Sequence, residues 1–351
     1  MTFSKEKLDA LKRQFEDQPG SKMIDPEYQR IANHIFSEDG QRPAPFAGVP
    51  TLLDAPFRPI DQTDPDIADL DVALFGVPMD LGVTNRSGSR FGPRAVRTIE
   101  RVGPYNGALA CAPVHEMAVA DIGDIKFHSR FSLAQSHEDI EAYAKRVVAK
   151  NVMPLAVGGD HSISHPLLKA VGEKGPVGMV HIDAHCDTGG IYEGEKFHHG
   201  GPFRNAVLEG VLDPERTIQI GIRGAAGYIW EFSDISGMTV VHMRDITEDK
   251  IPEIIEKARA VVGDDPTYLS FDIDSIDPAY APGTGTPEVG GLTSREAMRL
   301  IRGLKGLSFI GGDMVEVAPS YDATTNTAHV GAQILFEILS VLYYSPARQS
   351  K

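Results

Sequence analysis

An α/β fold with eight parallel strands is predicted for this chain of 351 residues by two features of its sequence. From Asp71 onward, short β-prone runs alternate with longer segments of helical periodicity, as strands joined by crossover helices require. Three of the runs end in clusters of Asp, His and Gly, which places ligand-type side chains at the carboxyl ends of strands, where α/β sheets bind their ligands.

The elements follow in order. Residues 1–45 read as a helical arm instead of a strand-helix unit: Leu8, Leu11 and Phe15 share one helical face before Pro19-Gly20. Asp25-Pro26 then opens a second helix carrying Ile31, Ile35 and Phe36. Covering the main domain is the simpler role for this arm, and contacting a neighbouring subunit the sharper one. The main domain, residues 46–351, carries predicted strands near 71–76, 116–121, 153–157, 177–182, 216–221, 238–242, 267–273 and 307–311. Helices are predicted near 92–101, 136–150, 163–173, 203–210, 249–262, 294–304 and 327–344. No internal repeat or low-complexity segment interrupts them. Strand count alone leaves a closed barrel and an open sheet equally available.

Composition narrows the function classes. With 42% hydrophobic and 24% charged residues the chain is globular in character and long enough to bury a sizeable core. A net charge of −15 opposes a nucleic-acid partner, and serves solubility or a cationic substrate. No stretch reaches the roughly 20 apolar residues that span a bilayer, so no membrane association is expected. The start Met1-Thr2-Phe3-Ser4-Lys5-Glu6 has no signal-type apolar region, and Cys111 and Cys186 form no disulfide framework. A cytoplasmic location is expected.

The chemistry lies in Gly158-Gly159-Asp160-His161-Ser162, Asp183-Ala184-His185-Cys186-Asp187 and Ser270-Phe271-Asp272-Ile273-Asp274. In extended backbone Asp183, His185 and Asp187 share a face, as do Asp272 and Asp274. Hard carboxylates with only two imidazoles suit a manganese-like ion, and a bridging carboxylate can hold two ions about 3.5–4 Å apart. Asp183, Asp187, Asp272 and Asp274 would balance two divalent ions with His161 and His185 neutral. Each cluster alone reads equally well as turn or cap chemistry, and it is their conjunction that points to metal. Asp160 reads as a supporting or capping residue, Asp277-Pro278 as a turn, and Cys186, on the opposite face, as packing.

With these motifs the chain resembles the ureohydrolase family of arginases, agmatinases and guanidino-acid hydrolases, from about Phe46 to Tyr344. Gly88-Ser89-Arg90-Phe91-Gly92-Pro93-Arg94, His199-Gly200-Gly201-Pro202-Phe203-Arg204, Pro282-Gly283-Thr284-Gly285-Thr286-Pro287-Glu288 and Val315-Glu316-Val317 resemble its agmatinase-like branch. The resemblance implies a three-layer α/β/α arginase-like sandwich with an eight-stranded parallel sheet, selecting the open sheet. It implies two metal ions, manganese or nickel: one held by His161, Asp183, Asp187 and Asp272, the other by His185, Asp183, Asp272 and Asp274. It also implies that His199, in preference to His198, shuttles protons, that Glu316 receives the guanidinium group, and that the protein forms a homo- or hetero-oligomer, a trimer or hexamer. The implied reaction cleaves a guanidino C–N bond to urea and an amine or ammonia.

Substrate choice turns on departures from the family pattern. Thr188-Gly189-Gly190 offers little grip for an amino-acid carboxylate, Ala318 stands where Asn is frequent, and Gly201 replaces a common Thr. A small guanidine or biguanide, as in the guanidine and metformin hydrolase subgroup, is expected first, a guanidino acid such as guanidinobutyrate second and agmatine third. Arg86 or Arg90 would hold the carboxylate of a guanidino acid, or serve as a structural ion-pair partner. Two readings from other classes are a single-metal deacetylase on the same fold, against which the paired Asp272 and Asp274 argue, and a subunit dependent on a catalytic partner.

Overall fold

Apolar runs between Gly- and Pro-rich turns form eight strands in the computed structural model of the protein, which describes residues 3–41, 44–60, 63, 66–100, 102–224 and 230–349. They are β1 (Val72–Val77), β2 (Val119–Asp124), β3 (Met153–Gly158), β4 (Val177–Ile182), β5 (Leu212–Ile222), β6 (Thr239–His242), β7 (Thr267–Asp272) and β8 (Phe309–Val315). All pair in parallel in one open sheet of order β2-β1-β3-β8-β7-β4-β5-β6. The sheet is therefore not a barrel.

The helices are α1 (Lys5–Phe15), α2 (Pro26–Ile35), α3 (Gly92–Arg97), α4 (Pro113–Glu116), α5 (Leu133–Ala149), α6 (Ser164–Val171), α7 (Pro202–Leu208), α8 (Glu231–Ser236), α9 (Ile251–Val262), α10 (Ser294–Gly303), α11 (Asn326–Tyr343) and α12 (Pro346–Gln349). Strand alternation divides the core into two layers. Val72, Leu74, Leu155, Val157 and Phe271 pack with residues of α3, α9, α10 and α11. Ala73, Phe75, Val77 and Ala156 pack on the other side with residues of α5, α6 and α7. Although α11 is strongly apolar, no helix among the described residues is long and apolar enough to cross a membrane.

Several predicted boundaries move, among them β5, which begins at Leu212 and not near 216, and α5, which begins at Leu133 and not near 136. Strand β2 begins at Val119 because Pro113 opens the short helix α4, which takes residue 116 out of the strand. Residues 98–100 fall outside α3, which ends at Arg97, and residue 101 of the expected helix lies outside the described residues. Strand β8 begins at Phe309 and runs through Gly311-Gly312 to Val315, past the predicted end at 311. A Cβ at Gly311 would lie 2.8 Å from the Pro154 carbonyl oxygen and one at Gly312 2.6 Å from that of Leu269, so the glycines allow close approach within the sheet.

The chain divides into two compact units, Met1–Val49 and Pro50–Lys351, against a sequence-based boundary at 45/46. In the first, Ser4 Oγ accepts the Lys7 N–H at 3.2 Å to cap α1, and Asp25 caps α2 ahead of Pro26. Leu8, Leu11 and Phe15 are exposed, and Ile31 is buried.

Candidate metal centre

The four adjacent central strands, β3, β8, β7 and β4, deliver the predicted residues to one end of the sheet. Asp183, His185 and Asp187 lie beyond the end of β4 at Ile182, and Asp187 has a left-handed φ of 51°. Asp272 ends β7, while Asp274 sits in the following 3-10 turn. Turn geometry, and not strand alternation, is therefore what brings these carboxylates together. The turn after β3 presents His161, with the Asp160 carboxylate accepting the Ser162 N–H at 2.9 Å and the Gly82 N–H at 2.8 Å, the supporting role expected. A Cβ at Gly159 would lie 2.1 Å from the Met79 carbonyl oxygen, so only glycine permits this turn.

His161 Nδ1 lies 3.0 Å from carboxylate oxygens of Asp183 and Asp187 and 3.1 Å from one of Asp272. Its Nε2 is 2.9 Å from Ser270 Oγ, which donates to Asp313 at 2.7 Å. Because the Ser270 proton goes to Asp313, the serine oxygen accepts from His161 Nε2–H, and Nδ1 is left with a lone pair. That lone pair is buried, without a hydrogen bond, and faces three anionic oxygens. Only a cation or a proton resolves such an arrangement. Burial alone would lower the His161 pKa, but these carboxylates raise it well above the ordinary value.

The second grouping joins Asp183, His185 and Asp274, with one ligand-type atom from each within 4.8 Å of the others. His185 Nδ1 is 3.1 Å from Asp274 Oδ2 and 3.5 Å from Asp183 Oδ1. Burial and the charges of Asp274 and Asp183 push Asp272 well above the usual carboxylate range. Burial, with Asp183 adding to it, takes Asp274 up to about 6 despite His185. Crowded, desolvated carboxylates of this kind are what divalent cations relieve, so these residues fit a metal centre.

His181, absent from the sequence-based set, lies 2.7 Å from Asp183 Oδ2 through Nε2. Gln219 Nε2 is 3.1 Å from its Nδ1 and donates to the Cys186 carbonyl at 2.6 Å. The amide therefore donates to Nδ1, which puts the His181 proton on Nε2 and makes this histidine a donor to Asp183, not a ligand. The signal was present, since residues 181, 183, 185 and 187 alternate in sequence. Cys186 is buried and its thiol is pushed up to about 12 by burial, in keeping with packing.

His199 Nδ1 is 2.9 Å from Glu316 Oε1, and its Nε2 is 2.7 Å from Thr84 Oγ1 and 3.1 Å from the Thr84 nitrogen. Burial lowers the His199 pKa, but the hydrogen bond and charge of Glu316, helped by Asp187 and Asp160, carry it up to about 9. The Thr84 N–H favours the neutral ring, whereas its hydroxyl serves either protonation state. His198 turns away, with Nε2 donating to the Gly190 carbonyl at 2.7 Å. Glu316 holds a left-handed φ of 65°, a conformation that costs energy outside glycine. Its Oε1 also accepts the His161 N–H at 2.9 Å, while its Oε2 is buried without a hydrogen-bond partner.

His185, Asp187, His199, Asp272 and Asp274 line a cavity of about 390 Å³. A larger groove of about 860 Å³ runs past Met153 and Val177, at the opposite strand ends, away from these groups. Arg86 and Arg90 are structural: Arg86 donates to the Thr284 and Gly285 carbonyls and stacks over Tyr321, and Arg90 pairs with Asp80.

A profile of the arginase family matches residues 70–340. The chain is 47% identical to the mitochondrial agmatinase of Gallus gallus, over 78% of this chain and 81% of that protein. It is 45% identical to the guanidinopropionase of Pseudomonas aeruginosa, over 87% and 95% of the two chains. Among solved structures, the proclavaminate amidino hydrolase of Streptomyces clavuligerus superposes with a TM-score of 0.78 at 34% identity, covering 86% of this chain and 99% of that one.

Proposed function

The chain belongs to the arginase family and is an amidinohydrolase, and we propose that it hydrolyses the guanidino C–N bond of a small guanidino compound to urea and an amine or ammonia. Guanidine and biguanides are the compounds the pattern of departures favours, and the relatives add agmatine and guanidino acids. The observation that carries this reading is Glu316, whose Oε1 is held by His161 and His199 while Oε2 is buried and unpartnered. A planar guanidinium is the partner such a carboxylate oxygen lacks, since it offers charge-assisted N–H donors in a fixed plane.

In this proposal His161, Asp183, His185, Asp187, Asp272 and Asp274 would hold two divalent ions, manganese or nickel. When bound, such ions supply Lewis acidity, lowering the pKa of water towards 7 and stabilising negative charge beside the substrate carbon. Glu316 fixes the orientation of the guanidinium, while His181 and Ser270 hold Asp183 and His161 in place. As oxygen from water adds to the carbon and the C–N bond breaks, His199 gives its proton to the departing nitrogen and takes back one that the water releases. With its pKa raised by Glu316, His199 carries that proton at neutral pH, and the Thr84 hydroxyl accommodates both of its states.

A cytoplasmic setting suits the unpaired, buried Cys111 and Cys186, and assembly as a trimer or hexamer is part of the same proposal, with the first 45 residues as its arm. The test is urea release by the purified chain, reconstituted separately with Mn²⁺ and Ni²⁺, on guanidine, dimethylbiguanide, guanidinobutyrate and agmatine. Turnover of at least one is expected. Silence on all four with metal bound would count against the assignment for the isolated chain.

A further inference from the structure

Where α5 and α6 meet the loop that carries His199, three aromatic rings pack together. His137 of α5 and His165 of α6 are buried, and half-buried Phe197 stands two residues before His199. The Phe197 ring centre lies 4.6 Å from that of His137, tilted by 31°, and 5.7 Å from that of His165, close to parallel at 21°. The two imidazoles are 5.9 Å apart, so the rings close a triangle. Each imidazole uses one nitrogen: His137 Nε2 lies 3.1 Å from Ser162 Oγ and His165 Nε2 3.1 Å from Glu209 Oε2, while both Nδ1 atoms are buried without a hydrogen bond. Burial holds the His137 pKa down at about 3 and lowers that of His165. Both rings are therefore neutral at physiological pH and pack against Phe197 and each other without charge repulsion.

The stretch they grip has little else to stiffen it. Residues 188–201 form no helix or strand beyond the isolated Tyr192–Glu195 bridge, and backbone of this kind is ordinarily the least stable part of a fold. The residues around Phe197 are tied in turn. Lys196 pairs with Glu209 at 2.8 Å, and its carbonyl accepts from Asn205 Nδ2 at 3.1 Å. The His199 N–H donates to the Gly82 carbonyl at 2.9 Å; the Gly82 N–H donates to Asp160, which also accepts from the Ser162 N–H. His137 closes this circuit, since its ring holds Phe197 and its Nε2 meets the hydroxyl of Ser162, the neighbour of His161. We propose that Phe197, packed against His137 and His165, is a positioning residue that fixes His199 for proton transfer. What His199 does there rests on the hydrolytic reading above; where it is held does not.

The experiment compares the metal-loaded full chain with Phe197→Ala and Phe197→Tyr. It reads kcat and KM for urea release from the guanidino compound the wild type turns over best, bound metal by elemental analysis, and amide hydrogen exchange of peptides covering 188–203. Phe197→Ala is expected to keep its metal and its KM, to lose kcat about 10–100-fold, as misplacing a reacting group by about 1 Å does, and to exchange about tenfold faster within 188–203. Phe197→Tyr, which keeps the ring, is expected to recover most of both. Lys196→Ala, a change at an exposed side chain that leaves the core intact, is expected to move both readouts the same way by a smaller factor. Unchanged exchange in Phe197→Ala, faster exchange with an unchanged kcat, or a loss of kcat that comes with loss of metal overturns the positioning role. Should Phe197→Ala fail to fold, Lys196→Ala with neither readout moved overturns it instead. A wild type that releases no urea counts against the hydrolytic reading, while exchange within 188–203 still decides what anchors the loop.

Discussion

Replacing Ser270 by alanine is expected to weaken metal binding without touching a single ligand. Ser270 Oγ accepts from His161 Nε2 at 2.9 Å and donates to Asp313 at 2.7 Å, all inside the core. Alanine leaves the His161 N–H unsatisfied, at a cost of about 1–3 kcal/mol in stability. Asp313 keeps the hydroxyls of Ser164 at 2.7 Å and Tyr268 at 2.9 Å, so its charge remains solvated. The loss falls on His161, whose ring and proton position are no longer fixed, and loosening such a support lowers metal affinity about 10–100-fold. Ser164→Ala is the control, since it removes a donor from Asp313 but nothing from His161. The assay is calorimetric titration of the metal-free variants with Mn²⁺, alongside thermal unfolding. Wild-type affinity in Ser270→Ala, or equal weakening in Ser164→Ala, would refute the assignment of Nδ1 as the ligand atom fixed through Nε2.

Three further outcomes follow. Asp274→Ala is expected to abolish urea release and remove one bound ion per chain, measured by elemental analysis; near-normal turnover would sink the two-ion reading. His199→Ala should cut kcat about 10²–10⁴-fold, the range for a positioned acid or base, with KM little changed and partial rescue by added imidazole. Burial, with His165 and Lys169 adding to it, holds the His137 pKa down at about 3, against 6.5 when unfolded. Its folded pKa is depressed, so the unfolded chain binds the extra proton and stability falls as pH drops from about 6.5 towards 3, by up to about 1.4 kcal/mol per pH unit. Denaturant midpoints across that window should show the slope, and His137→Gln should flatten it.

The parts of the fold that could be read from sequence were those set by local pattern. Strands such as Val177–Ile182 stand out because both faces are buried, and α10 because Thr293 and Glu296 form a capping box ahead of an amphipathic run. Strand β8 extends past residue 311 because Gly311 and Gly312 fit against neighbouring backbones that only the fold brings into view. The sheet order was beyond local pattern, since β3 and β4 are separated by β8 and β7, which come last in the chain. At the site, the candidate ligands were legible as clustered Asp and His. The supporting residues were less so: Ser270 alternates with Asp272 and Asp274, whereas Asp313 and Thr84 become visible only through contacts from distant segments. Arg86 and Arg90 show the converse, cations that suggested substrate binding in sequence and are engaged by backbone, Tyr321 and Asp80 in the fold.

The central claim is that two ions held by His161, His185 and four aspartates make this chain a guanidino hydrolase. The most direct measurement is urea release from biguanide and agmatine as metal-free chain is titrated with Mn²⁺ or Ni²⁺, with bound metal counted at each point. Activity that stays low through the first equivalent and climbs with the second is the expected result; full activity with one ion per chain, or with none, would contradict it.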